Sequence, residues 1–318
     1  MIKDMEFIEM VTDKMSTLFD KAYYVEIIEV PKNNNVILTG MRIQKEGCEM
    51  MPVIYLDPYF LQYKSGMTLE EIIDDIYKSC MMSIKTTVLP VDNLYDFNNV
   101  KERIAFKLVN RKANRKRLEK MPFKPFLDLA IIFYMHLDQN QQGQLTAEIY
   151  NEHVERWGTT VDELYQLALE NTPRLLPSAF RNMDDLLKDL VGENMGAEDE
   201  AKLLLDLLLE DSCRTFYILS NAHNINGAAV ILYPEELRKT VEKLDCESLI
   251  VIPSSVHEML IIPFDGNADV AELEMMVQDV NRKEVLPEDV LSGSVYCYTK
   301  QGDRIEQVPS VCSGQEES

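Results

Sequence analysis

The sequence predicts an α/β (α+β) protein with mixed, largely antiparallel sheets and packed helices, arranged in two lobes. Three observations lead there. Residues 249–264, LIVIPSSVHEMLIIPF, read as two short strands, apolar on both faces, joined by a polar corner. Two Asn-rich segments, 31–35 and 221–227, each lie between runs of β-branched and aromatic residues, the pattern of a hairpin. Between these runs, apolar residues recur every third or fourth position, and capping boxes open several of the stretches, as amphipathic helices require.

Taken in order, Met5, Ile8, Val11, Met15 and Leu18 form the apolar stripe of a helix over 4–19. Strands 23–30 and 36–43 follow, joined by Pro31-Lys32-Asn33-Asn34-Asn35, because asparagine tolerates the left-handed backbone of a tight connection. A third strand spans 52–56. Thr68 with Glu71 caps a helix to about residue 81, with Leu69, Ile72, Ile73 and Ile76 on its buried stripe. Residues 126–137 and 144–150 read as strands around the polar turn 138–143, and Thr160 with Glu163 caps a helix over 161–171. Residues 182–211 are acidic and helical in pattern, broken at Gly192 and Gly196, which suggests a connector. The expected division is an N-terminal lobe over 1–175, an acidic helical connector over 176–212, a C-terminal lobe over 213–308 and a disordered tail over 309–318. The last lobe repeats the earlier grammar: a hairpin of 216–219 with 228–233, a helix opened by Pro234, a helix capped by Asp269, and a closing strand at 295–299. Two hairpins alone do not establish an internal repeat.

Charge narrows the function classes. The 318 residues carry 54 acidic against 32 basic side chains, a formal net charge of −22 that repels phosphate backbones, so nucleic acid is a poor default partner. Six scattered cysteines and an acidic start without a leader pattern point to a reduced compartment, the cytoplasm. The longest apolar stretch, 129–137, is too short to span a membrane. No glycine-rich phosphate loop is present, so no nucleotide cofactor is expected.

Two segments are candidate sites. Between residues 101 and 124, ten Lys or Arg stand against Glu102 and Glu119; taking that +8 from −22 leaves −30 for the rest of the chain. Within it, Arg111, Lys112, Arg115, Lys116 and Arg117 form a binding candidate for a phosphate or an acidic partner, or a patch that docks on the protein's own acidic surface. No aromatic residues interleave them as a nucleic-acid groove would want. The second candidate is the corner at Ser254, Ser255, His257 and Glu258, which holds a hydroxyl, a base and an acid within five residues, the types a nucleophilic relay needs. The alternative is a turn whose polar groups satisfy one another. The corner is no zinc helix, since Ile261 stands where a second histidine would ligate. No metal-ligand spacing occurs elsewhere: the calcium-like starts at Asp138 and Asp265 reach Ile149 and Met276, where a bidentate Glu is required.

Several strings resemble one family: Lys32-Asn33-Asn34 followed by Leu38-Thr39-Gly40, Pro52 through Ile54-Tyr55-Leu56, Pro253-Ser254-Ser255 with His257-Glu258, then Asn281 and Leu286-Pro287-Glu288. They are similar to an uncharacterised bacterial domain-of-unknown-function family of intracellular proteins about 300 residues long. That resemblance covers nearly the whole chain and implies no activity. A weaker similarity, at Trp157-Gly158, Asp162-Glu163-Leu164 and Asn171-Thr172, is to another uncharacterised bacterial family of acidic α/β proteins. The expected function is a non-catalytic binding or regulatory module with a protein partner. The alternatives are a hydrolase working from the 254–258 corner and a nucleic-acid accessory using the 103–124 segment.

Overall fold

The computed structural model describes residues 5–19, 23–45, 53–86, 95–140, 143–182, 216–264, 266 and 269–308. The chain divides into two compact units, Met1–Asn99 and Val100–Ser318. Of the expected connector and tail, residues 183–212 and 309–318 lie outside the described residues.

The first unit is a three-stranded antiparallel sheet carrying helices. Strands β1 (Tyr23–Pro31), β2 (Ile37–Lys45) and β3 (Val53–Tyr55) lie in that order. Asn34 and Asn35 take φ of 57° and 59°, the left-handed backbone for which asparagine suits the β1–β2 turn. Helix α1 (Met5–Leu18) buries Phe7, Val11 and Met15, while Met5 and Leu18 of the expected stripe are exposed. The buried row is thus shifted around the helix, onto Phe7, whose ring meets those of Phe60 and Tyr63. A short helix α2 (Asp57–Lys64), unseen in the sequence pattern, supplies those two rings. Helix α3 (Leu69–Thr86) opens on the expected capping box, with the Glu71 carboxylate accepting from the Thr68 amide at 2.9 Å. Its Ile72, Ile73 and Ile76 close the core.

After the short helix α4 (Phe97–Val100), the second unit contains two antiparallel sheets. In the four-stranded one, the long central β6 (Leu129–Asn140) pairs with β4 (Ile104–Asn110) on one side. On its other side it pairs with β5 (Phe123–Phe126) and then β7 (Gly143–Glu148). The run expected as one strand from 126 is therefore bent at Leu127-Asp128 into a hairpin, with Leu127 at φ 54°. Helix α5 (Arg115–Leu118) lies between β4 and β5, and α6 (Asn151–Trp157) follows β7, in a stretch to which the sequence pattern assigns no element. Helix α7 (Val161–Leu175), opened by the expected Thr160–Glu163 box, serves the open edge of β4. Thr172 Oγ1 accepts from the Phe106 amide at 3.2 Å, and Asn171 Nδ2 donates to the Lys101 and Ile104 carbonyls. Side chains thus satisfy an edge that would otherwise offer itself to another strand.

The six-stranded sheet runs β13-β12-β10-β11-β9-β8, every pairing antiparallel. Its members are β8 (Ser178–Asn182), β9 (Tyr217–Asn221), β10 (Ser248–Pro253), β11 (Met259–Pro263), β12 (Tyr296–Thr299) and β13 (Arg304–Gln307). The stretch LIVIPSSVHEMLIIPF is its centre, as expected. Ile250, Ile252, Leu260 and Ile262 pack with Leu273, Val277 and Val280 of helix α9 (Val270–Lys283), while Leu249, Val251, Met259 and Ile261 are buried on the other face. At about 1.5–3 kcal/mol for each such side chain taken from water, this pair of strands anchors the core of the six-stranded sheet. Helix α8 (Glu236–Lys243) follows Pro234.

One expectation fails here. Residues 228–233 do not return as a strand, because β9 already has β8 on one side and β11 on the other. Instead Gly227–Leu232 winds into a buried 3₁₀ turn against β9 and β11, so the second hairpin does not form. Residues 178–182, at the start of the expected helical connector, are strand β8.

In the first unit, a Cβ added at Gly40 would lie 2.5 Å from a Val53 methyl and 2.9 Å from a Val30 methyl. Gly40→Val should lower stability by about 1–3 kcal/mol through overpacking, read from the urea midpoint.

Candidate functional site

The corner between β10 and β11 brings Ser254, Ser255, His257 and Glu258 together, but in a self-satisfying turn. Pro253 pairs with Met259, so the five residues between them form the loop. Ser254 Oγ donates to Glu258 Oε1 at 3.2 Å, and Ser255 Oγ accepts from the His257 main-chain amide at 3.0 Å. The imidazole turns away from both hydroxyls. Its Nδ1 accepts from the Asn226 amide at 3.2 Å, and its Nε2 lies 3.3 Å from Asp289 Oδ1. An Nδ1 that accepts puts the ring proton on Nε2, so the carboxylate orients the ring while a backbone donor occupies its lone pair. A general base for a serine needs that lone pair directed at the hydroxyl.

The same corner is pinned from below. Ser220 Oγ donates to the His257 carbonyl at 2.7 Å, the Ala228 amide reaches the Val256 carbonyl, and the Val256 amide reaches the Asp289 carbonyl at 2.8 Å. Asn221 organises the loop that delivers Asn226: its Oδ1 accepts from the His223 amide and its Nδ2 donates to the Ile225 carbonyl. Only a glycine fits at the contact. A Cβ on Gly227 would stand 2.1 Å from Ser220 Oγ and 2.4 Å from the His257 carbonyl oxygen. The Asn-rich stretch 221–227 is thus the partner of the 254–258 corner, a relation that no local pattern could reveal.

The basic segment separates into two sets. Arg117, with Lys107, is consumed inside the protein: both reach Glu148 Oε1, Lys107 at 3.2 Å, and the three side chains are only 17–22% exposed. Tyr150 Oη donates to the other Glu148 oxygen at 3.3 Å. Burial raises the Glu148 pKa, but the Lys107 and Arg117 charges outweigh it and bring the group from 4.5 down to about 2. Lys124 pairs with Asp162 at 2.5 Å, and Arg103 donates to the Leu137 carbonyl.

Arg111, Lys112, Arg115 and Lys116 are exposed, and none has an acidic partner among the described residues. They stand on the turn from Asn110 into α5. Asn114 and Leu118, four residues apart, point inward, Leu118 into the cluster of Val109, Met121, Ala130 and Ile132. Arg111 and Lys112 on the turn and Arg115 and Lys116 at the start of α5 are thus four exposed cations within six residues. Among the described residues no group of three or more His, Cys, Asp or Glu could hold a metal ion.

Two outcomes test this geometry. Gly227→Ala should cost about 2 kcal/mol or more in denaturant unfolding, because backbone atoms surround the added methyl. Glu148 titrates lower in the folded chain than unfolded, so its contribution is present above the ordinary carboxylate range and is lost as pH falls from about 5 toward 2. Glu148→Gln should lower stability at neutral pH by about 1–3 kcal/mol and flatten the decline over that acid range, measured by denaturant titrations at stepped pH.

No curated protein and no solved structure matches the chain. A family model does match: that of the family of unknown function DUF5688, over residues 5–300. The match takes in the 254–258 corner, its Asn-rich partner loop and the basic turn alike, and the chain belongs to that family.

Proposed function

We propose that this chain is a binding or regulatory module of the cytoplasm that captures an acidic protein partner on the turn bearing Arg111, Lys112, Arg115 and Lys116. The observation that carries the reading is the division of labour within the basic segment. Arg117, Lys107 and Lys124 neutralise acids of this chain, whereas the four turn cations face outward with no acid of the described residues beside them. Docking on the protein's own acidic surface therefore accounts for the first set and leaves the second available. In a chain of net charge −22, a cationic patch of this size steers an acidic partner to one place and repels it elsewhere. Cys80, Cys246 and Cys297 are free thiols, in keeping with a reduced compartment, and no helix among the described residues is long and apolar enough to cross a membrane.

The test is a titration of a fluorescent oligoglutamate peptide, and separately of a duplex DNA, at low and at physiological salt. Reversing Arg115 and Lys116 to Glu should lower affinity for the peptide about tenfold or more without changing the thermal midpoint. Equal binding by the reversed variant would remove the proposal. Tighter, steeply salt-dependent binding to the duplex would put a nucleic-acid accessory in its place.

A further inference from the structure

The cationic turn is short, and hydrogen bonds to distant residues set its shape. Asn110 is the hinge of these: its Oδ1 accepts from the Ala113 amide at 2.9 Å, its carbonyl accepts from Asn114 Nδ2 at 2.8 Å, and its Nδ2 donates to the Leu291 carbonyl at 2.9 Å. The Arg111 amide is held by the Asp128 carbonyl at 3.3 Å. Asp128 belongs to the Leu127-Asp128 turn between β5 and β6, where Leu127 occupies the left-handed region that side chains other than Gly, Asn and Asp rarely adopt. Such a conformation persists only where its surroundings over-determine it. Here the surroundings are three hydroxyls: Ser292 Oγ at 2.6 Å and Ser294 Oγ at 3.3 Å on Asp128 Oδ2, and Tyr296 Oη at 2.7 Å on Oδ1. Ser292 and Tyr296 are buried, so these donors have no water to turn to.

We infer that Asp128 is a positioning residue for the partner-binding turn: its carboxylate clamps the strained turn, and its carbonyl, thereby placed, fixes where Arg111 begins the cationic array. The inference rests on the function proposed for that turn. Asp128 touches no partner itself. Because the clamp lies on the loop that leads into β12 and on that strand's first residue, Tyr296, the entry to the six-stranded sheet governs the binding geometry of a loop beside the other sheet.

The experiment compares Asp128→Asn, Tyr296→Phe and the Arg115/Lys116 reversal in the oligoglutamate titration, with thermal midpoints and amide hydrogen exchange over 110–118. Asp128→Asn keeps every cation, so the dependence of affinity on salt should keep its slope while affinity itself falls about three- to tenfold. Exchange over 110–118 should quicken by a similar factor. Tyr296→Phe removes one donor and should give a smaller loss of the same kind, which serves if Asp128→Asn does not fold. Wild-type affinity and exchange in a folded Asp128→Asn or Tyr296→Phe protein would overturn the inference. If charge reversal also left binding unchanged, the function of the turn would fail as well, so the two failures are separable.

Discussion

Asp128 accepts hydrogen bonds from Ser292, Ser294 and Tyr296, and with the bond from Asn110 to the Leu291 carbonyl this ties the four-stranded sheet to the loop that leads into β12 of the six-stranded one. A half-buried carboxylate is costly unless its lone pairs are used, and three hydroxyl donors use them. Tyr296 responds in kind: burial and the Asp128 charge both raise its pKa, so it stays a neutral donor at any physiological pH. The apolar core could accommodate small sliding of one sheet over another, whereas directional bonds to one carboxylate admit a single register.

The 286–296 stretch extends the same logic. Asp289 orients His257 and, through its carbonyl, takes the Val256 amide, while Leu291, Ser292 and Ser294 hold Asn110 and Asp128. One segment therefore fastens the β10–β11 corner and the base of the cationic turn. The residues with the strongest chemical appearance, Ser254, Ser255, His257 and Glu258, spend their hydrogen bonds within this fastening. The cations Arg111, Lys112, Arg115 and Lys116 spend none on acids of the described chain.

The local signals that were legible share a short physical range. The capping boxes at Thr68–Glu71 and Thr160–Glu163, the left-handed asparagines of the first hairpin and the doubly buried strands β10 and β11 each depend on residues within a few positions of one another. The failures have the opposite character. The 228–233 run is β-like in composition, yet both sides of β9 are filled by strands distant in sequence. The hairpin at Leu127-Asp128 breaks an apolar run whose one turn-favouring residue is Asp128, and the donors that hold that residue lie more than 160 positions away. Helices α2 and α6 are too short to show a stripe.

By itself the sequence determined the α/β class, the central strand pair, the capped helices and the place where positive charge gathers, since periodicity, capping chemistry and formal charge belong to neighbouring residues. Only the tertiary structure decided which cations are neutralised, since Glu148 meets Lys107 and Arg117 across strands and a turn. It also decided that the His257 lone pair belongs to the Asn226 amide, 31 residues earlier, because hydrogen-bond direction is a property of packed atoms and not of spacing along a chain.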